Sequence, residues 1–266
     1  MQFLFFLICF VASIIGAICG IGGGVIIKPI MDVVGDFSVH TIGVIASITV
    51  FTMAFVSILK QTKSKTKIPF GTAIPLSIGS VIGGISGERF FSFIVNLLRA
   101  DGVVKIVQNI VLTVLILWVF IYMNNKNKFK RREFKGVVPE LLTGLFLGMS
   151  SAFLGIGGGP INVSVITFVF SLPIKTATIC SLMTILFSQF SKLITIYFTK
   201  GFSDLDFAVV MVMVFAAIIG GFLGAQLNKN LSEKTVSKAF NFLLIIVLCL
   251  TIFNIFNNMT LKILQN

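Results

Sequence analysis

Apolar residues occur along this chain in eight long runs separated by short polar stretches. The runs cover residues 2–31, 39–59, 70–92, 103–123, 138–171, 174–199, 206–228 and 236–256. A helix of about 20 apolar residues spans the roughly 30 Å hydrocarbon core of a bilayer. Backbone groups in lipid need internal hydrogen bonds, and these runs lack the polar–apolar alternation of membrane β-strands. The pattern predicts an all-α integral membrane protein.

Glycine-rich motifs recur along the chain in the same order. CGIGGG at 19–24 returns as LGIGGG at 154–159, and IGGISG at 82–87 returns as IGGFLG at 219–224. Two motifs repeated at nearly one spacing indicate the duplication of a four-segment unit.

The duplication predicts two homologous repeats, 1–123 and 137–266. A polar, basic linker at 124–136 joins them. Each repeat opens with an overlong run, 2–31 or 138–171, that glycines interrupt near the middle.

Charge bears on orientation. Of 266 residues, 56% are hydrophobic and 11% charged, and the formal net charge is +12. The basic residues cluster in short loops between apolar runs, as the positive-inside rule expects. We therefore expect a lipid bilayer and no nucleic acid as partner. More loop lysines and arginines become cytoplasmic if 2–31 and 138–171 are hairpins than if each crosses once. A hairpin plus three spans is an odd number of crossings, which predicts inverted repeats.

The two GIGGG runs predict helix breaks deep in the membrane. Each glycine costs about 1 kcal/mol relative to alanine in a helix interior. The helix that begins after such a break offers unpaired N–H groups and the positive end of its dipole to an anion. Pro160 after the second run is tolerated in a first helical turn. The predicted substrate-binding glycines are Gly22, Gly23, Gly24, Gly157, Gly158 and Gly159.

The alternative role of such glycines is close helix packing. We expect this role for the motifs at 82–87 and 219–224.

Several of these motifs resemble one known family. GAICGIGGG (16–24), SAFLGIGGGP (151–160), SLMT (181–184) and the glycine-rich stretch 79–87 resemble the signature of the TauE/SafE sulfite exporter family. The resemblance implies a multi-pass transporter of small anions such as sulfite, sulfonates, sulfoacetate or thiosulfate. It does not imply a direction of transport.

Polar residues inside the runs are further candidates, because such groups face a bundle interior or a pathway. Ser181, Thr184 and Ser188 share one helix face by their spacing. Hydroxyls on that face either complete an anion cage or form hydrogen bonds between helices. Lys192 either extends to the interface or neutralises an anion. The predicted substrate-binding side chains are Ser47, Thr49, Ser181, Thr184, Gln189 and Lys192.

Other polar residues are assigned structural roles. Lys28 is expected to extend to the membrane interface, and His40 to lie at the surface. Glu88 and Arg89 are expected to pair at a helix end. No carboxylate is expected within the spans, so the coupling ion stays unidentified.

These features predict a secondary transporter of a small anion in the cell membrane, working by alternating access. An anion channel using the same breaks, or a carrier of another small solute, is the alternative. One histidine and scattered cysteines provide neither a catalytic site nor a metal cluster. We expect no enzyme activity, metal or cofactor.

Overall fold

The computed structural model describes residues 2–34, 37–62, 69–98, 101–125, 134, 136–199, 201–202 and 205–265. The described residues form ten helices and no strand. The helices are α1 Gln2–Cys19, α2 Gly24–Val34, α3 Val39–Thr62, α4 Phe70–Leu98, α5 Asp101–Asn124, α6 Val137–Leu154, α7 Gly159–Phe170, α8 Ile174–Thr199, α9 Phe207–Asn230 and α10 Glu233–Gln265.

Eight of these helices are long and apolar enough to cross a membrane: α1, α3, α4, α5, α6, α8, α9 and α10. The protein is therefore an all-helical, multi-pass membrane protein. Helices α2 and α7 are the two short ones, and each follows a glycine-rich segment.

One boundary differs from prediction. Helix α4 continues to Leu98, six residues beyond the predicted end of its run. Glu88 is therefore inside a long helix and not at a helix end, so the predicted pairing with Arg89 at such an end is wrong. Most of the linker 124–136, and the loop residues Lys63, Lys65, Lys67, Arg99 and Lys200, lie outside the described residues.

Glycines bring α4 and α6 into backbone contact. A β-carbon on Gly79, Gly83 or Gly87 of α4 would meet a backbone carbonyl of Leu141, Leu145 or Met149 of α6, respectively. Positions that increase together show that α4 and α6 run parallel. The expectation that the glycines of 82–87 permit close packing is confirmed.

The same arrangement joins α1 to α9. A β-carbon on Gly220 would lie 2.8 Å from the Phe10 carbonyl oxygen, and one on Gly224 would meet the Ile14 carbonyl. These two helices also run parallel, and the glycines of 219–224 have the predicted packing role.

The halves of the chain exchange helices. Helix α1 packs on α9, and α6 packs on α4. Helix α3 packs on α9, and α8 packs on α4; α5 packs on α10. Each contact in one half thus has a counterpart in the other, and α3 and α8 meet in the centre.

The direction of α8 follows from two contacts with α4. Ser80 donates a hydrogen bond to the Thr184 carbonyl (3.0 Å), and Glu88 lies 3.5 Å from the Lys192 ammonium. Helices α4 and α8 are therefore parallel. Because α6 is also parallel to α4, α6 and α8 begin at the same end of the bundle.

Candidate functional site at two facing helix breaks

Two helix ends meet in the centre of the bundle. Helix α1 ends at Cys19 and α2 begins at Gly24, while α6 ends at Leu154 and α7 begins at Gly159. We call residues 20–23 the first break and residues 155–158 the second break. All residues of both breaks are buried within the protein.

Glycine is needed at both breaks for its backbone conformation. Gly20 and Gly22 have φ values of 72° and 66°, and Gly155 and Gly157 have 66° and 69°. Residues with a β-carbon rarely adopt such angles. The four positions correspond at an offset of 135 residues, so the repeated sequence produces a repeated conformation.

The two breaks touch each other. A β-carbon on Gly22 would lie 2.7 Å from the Gly157 carbonyl oxygen, and one on Gly24 would meet the Ile156 carbonyl. The absence of side chains is what allows this approach.

Two apolar side chains cover the contact between the breaks. A β-carbon on Gly157 would lie 2.5 Å from Cγ1 of Val50, and one on Gly158 equally close to Cγ1 of Ile185. Val50 and Ile185 occupy matching positions in α3 and α8, again 135 residues apart. They close the centre of the bundle with apolar surface.

Side chains from neighbouring helices satisfy the carbonyl groups where α1 ends. Asn228 donates to the Ile18 carbonyl at 2.5 Å. Thr178 and Ser181 donate to the carbonyls of Cys19 (3.3 Å) and Gly20 (2.5 Å). Ser181 therefore points at the first break, as predicted, and there forms a hydrogen bond between elements.

The end of α6 is satisfied in the same way. Gln108 donates to the Phe153 carbonyl at 2.6 Å, and Lys192 donates to the Ala152 carbonyl at 3.2 Å. Carbonyls at a helix end need such partners when water is excluded. The helix ends before the two breaks are thus capped, and the helices after them begin with N–H groups.

The start of α7 contains an unpaired side chain. Gly158 is its N-cap residue and forms no side-chain capping bond. Asn162 is only 1% exposed, and neither its amide nitrogen nor its amide oxygen has a hydrogen-bond partner. A β-carbon on Gly158 would lie 2.7 Å from Nδ2 of Asn162, so this amide faces the second break. A buried unpaired amide is costly, typically about 1–3 kcal/mol.

Three predicted hydroxyl groups donate within their own helices. Ser47 donates to Gly43 (2.6 Å), Thr49 to Ile45 (2.8 Å) and Thr184 to Cys180 (2.9 Å). Gln189 donates to Ser151 of α6 at 3.0 Å, and its amide oxygen is unpaired. Thr49 and Thr184 occupy matching positions of the two repeats.

The lysines are buried and paired. Lys192 is 1% exposed and lies 3.5 Å from Oε2 of Glu88, which is itself 2% exposed. Lys28 is 3% exposed and lies 3.4 Å from Oδ2 of Asp32. The prediction that Lys28 extends to the membrane interface is therefore wrong, because its charge is paired inside the protein. The expectation of no carboxylate within the spans is wrong as well, since Glu88 lies inside α4.

Both lysines lie beside the second break. A β-carbon on Gly155 would lie 3.3 Å from Cε of Lys28, and one on Gly43 would lie 3.9 Å from Nζ of Lys192. The first turn of α7, an unpaired amide and two ammonium groups therefore surround one buried segment. Helix N-termini and cations both favour negative charge.

This combination of eight candidate spans and two buried helix breaks is that of a multi-pass membrane transporter. The sequence model of the family "Sulfite exporter TauE/SafE" matches residues 5–251, so the chain belongs to the TauE/SafE family. The resemblance seen in the glycine motifs is confirmed.

Two relatives agree with this assignment. The chain is 24% identical over 245 residues to a probable membrane transporter protein of Methanocaldococcus jannaschii, covering 87% of this chain and 88% of the relative. It is 25% identical over 268 residues to a probable membrane transporter protein of Bacillus subtilis, covering 91% and 94%. No solved structure is significantly similar to the chain.

Sequence reasoning missed Asn162, Val50 and Ile185. Asn162 is a polar residue within a predicted span, one turn beyond the second GIGGG, so the rule applied to Ser181 would have identified it. Val50 and Ile185 are apolar residues in apolar helices, and only the repeat offset relates them to the breaks.

Proposed function

We propose that the protein is a secondary transporter of a small anion, a sulfur oxyanion or organosulfonate of the sulfite, sulfoacetate or thiosulfate type, in the cell membrane. The single observation that carries the proposal is the meeting of the two helix breaks, with the N-terminal end of α7 and the unpaired amide of Asn162 beside them. The family to which the chain belongs supports a sulfur-containing anion.

The anion is bound by backbone amides and few side chains. The donors are the N–H groups around Gly22, Gly23 and Gly24, those around Gly157, Gly158 and Gly159, and Nδ2 of Asn162. Gln189 and Lys192 lie on the approach to the second break. Ser47, Thr49, Ser181 and Thr184 line the region without donating, because their hydroxyl protons are shared with carbonyls.

Alternating access follows from an inverted relation between the repeats 1–123 and 137–266. Helices α6 and α8 begin at one end of the bundle, so α6 and α7 together form a hairpin. The side chain of Lys192 lies by Gly43 while Phe51 stacks on Phe190, so α3 is antiparallel to α8.

Helix α9 reverses direction relative to α8, since the seven residues between them reach less than the length of a 24-residue helix. It is therefore parallel to α3, and α1, which is parallel to α9, begins at the same end as α3. The first repeat thus starts at the end opposite to the second. Rocking of such repeats about a central site is a known mechanism of secondary transporters.

Uptake by purified protein in liposomes tests the function. We expect saturable uptake of at least one of sulfite, thiosulfate and sulfoacetate, with counterflow when the same anion is trapped inside. Sulfate and acetate serve as anions of different shape and size. Single-channel currents would favour the channel instead, and the absence of uptake of every anion would contradict the proposal.

Asn162→Leu separates binding from stability. Loss of a hydrogen bond to a charged ligand costs about 1.5–3 kcal/mol, which corresponds to at least about a tenfold loss of affinity for the transported anion. The thermal unfolding temperature is expected to stay unchanged or to rise, because an unpaired buried amide is removed. Titration calorimetry and thermal unfolding in detergent measure the two quantities.

Asn254→Leu is the matched control. Asn254 is equally buried, but its amide donates to the Pro29 carbonyl at 2.9 Å. Its replacement is expected to lower the unfolding temperature and to leave affinity unchanged. Wild-type affinity in Asn162→Leu would show that the amide does not contact the anion.

A further inference from the structure

A buried cluster of charged side chains lies beside the second break. It contains Lys192 and Glu88, 3.5 Å apart, and Lys28 and Asp32, 3.4 Å apart. Lys105 of α5 lies 4.0 Å from the other oxygen of Asp32, and its side chain is 13% exposed. The cluster therefore reaches from the centre of the bundle to its surface.

The charges in this cluster do not balance. Three lysines face two carboxylates, so one positive charge is in excess when all five groups are ionised. Charges inside a protein are stable only when they are compensated. An anion bound at the second break would supply the missing negative charge.

The cluster is present in only one of the two repeats. The offsets of 135 and 137 residues place Ser57 opposite Lys192, Ala225 opposite Glu88, and Val163 opposite Lys28. Since these counterparts are uncharged, the repeated fold itself does not need the ion pairs. The cluster adds a property to one side of the central site.

We propose that Glu88 carries the coupling proton, so that anion and proton are transported together; this inference rests on the proposed anion transport. Glu88 compensates Lys192 when it is ionised. When it binds a proton, Lys192 loses its counter-charge and the excess positive charge beside the second break rises by one. A bound anion then takes over the compensation. Anion binding therefore favours protonation of Glu88, and protonation favours anion binding by the same factor.

The surroundings of Glu88 leave few other groups for this role. Its Oε1 accepts a hydrogen bond from Ser92 of the same helix at 3.3 Å, while Arg89 is exposed. Helix α8 contributes Lys192, and α2 and α5 contribute Lys28, Asp32 and Lys105.

Three other titratable groups lie on neighbouring elements. Glu140 of α6 lies in the first turn, at the opposite end of that helix. His40 is in the first turn of α3, and Asp101 of α5 accepts a bond from the Val39 amide. Asp32 has two lysines nearby, so the loss of its charge would leave more positive charge unpaired than the loss of that of Glu88.

Proteoliposomes with a pH gradient test the proposal. The probes are thiosulfate and methanesulfonate, whose charge does not change near neutral pH. A gradient that drives protons inward is expected to raise uptake by the wild-type protein at least about fivefold, in the range of allosteric coupling factors. In Glu88→Gln the ratio of uptake with and without the gradient is expected to fall to about one, by loss of the same coupling.

Glu140→Gln is the matched control, because Glu140 is also a buried carboxylate but lies away from the cluster. It is expected to keep the stimulation by the gradient, as is Glu88→Asp, which keeps a carboxylate. Because Glu88→Gln leaves Lys192 unpaired and can disturb folding, proton uptake is also measured on the wild-type protein alone. In weakly buffered detergent solution, adding thiosulfate to it is expected to raise the pH of the medium.

Each outcome decides a different claim. Wild-type uptake that ignores the gradient, without proton uptake on binding, overturns proton coupling and leaves the transporter. Stimulation of Glu88→Gln equal to that of the wild type overturns the role of Glu88. No wild-type uptake of either probe under any gradient overturns the anion transport on which the inference rests, and the inference with it.

Discussion

Gly157→Ala is expected to abolish anion uptake. Its backbone φ of 69° costs a residue with a β-carbon about 1–2 kcal/mol. The new methyl group would also lie 2.5 Å from Cγ1 and 2.9 Å from Cβ of Val50, and overpacking of this kind costs about 1–3 kcal/mol. The second break has to shift, and uptake is expected to fall by at least about tenfold, since 1.4 kcal/mol is a factor of ten. Uptake into proteoliposomes and thermal unfolding measure the effect.

Gly102→Ala is the control for this substitution. A β-carbon on Gly102, in the first turn of α5, has no atom within 4 Å. Alanine there is expected to leave uptake unchanged and to raise stability slightly, because it favours the helix. If Gly157→Ala transported as well as Gly102→Ala, the conformation of the second break would not matter for transport.

Lys192→Met is expected to lower the free energy of unfolding by about 3–5 kcal/mol, because it leaves the buried carboxylate of Glu88 uncompensated. The loss is expected to shrink as the pH falls, since protonated Glu88 carries no charge. Unfolding by sodium dodecyl sulfate in mixed micelles, repeated at several pH values, measures both effects.

The double variant Lys192→Met/Glu88→Leu provides the control for the ion pair. Apolar residues in place of a buried ion pair are often neutral or stabilising by about 1–4 kcal/mol. The double variant is therefore expected to recover most of the stability lost in Lys192→Met. A double variant as unstable as the single one would show that Glu88 is not the group left uncompensated.

The helix ends were predictable because glycine acts locally. Three consecutive glycines oppose helix formation wherever they occur, and the positions of Gly22 and Gly157 follow from that rule alone. The close packing of α4 on α6 through Gly83 and Gly87 was predictable for a similar reason, since helices approach closely where side chains are absent.

The charged cluster was not predictable from single positions. Lys28 and Lys192 are far apart in sequence, and each alone is equally compatible with extension to the interface. Their burial depends on Asp32 and Glu88, which lie on α2 and α4. That pairing requires α4 to continue past the predicted end of its run, so an error of a few residues in one helix boundary hid a carboxylate inside the membrane.

The partners of the carbonyl groups at the helix ends lay equally out of reach of the sequence. Asn228 and Gln108 are single polar residues on α9 and α5, and nothing local connects them to Ile18 or Phe153. Only the packing of α1 on α9 brings Asn228 to the end of α1.

A structure determined with selenite, whose selenium atom can be located by anomalous scattering, tests most directly whether an anion binds at the facing breaks. The predicted result is a selenium peak beside the start of α7, with selenite oxygens within hydrogen-bond distance of Nδ2 of Asn162 and of an amide near Gly159. A selenium peak away from both breaks, with Asn162 still unpaired, would contradict the proposed site.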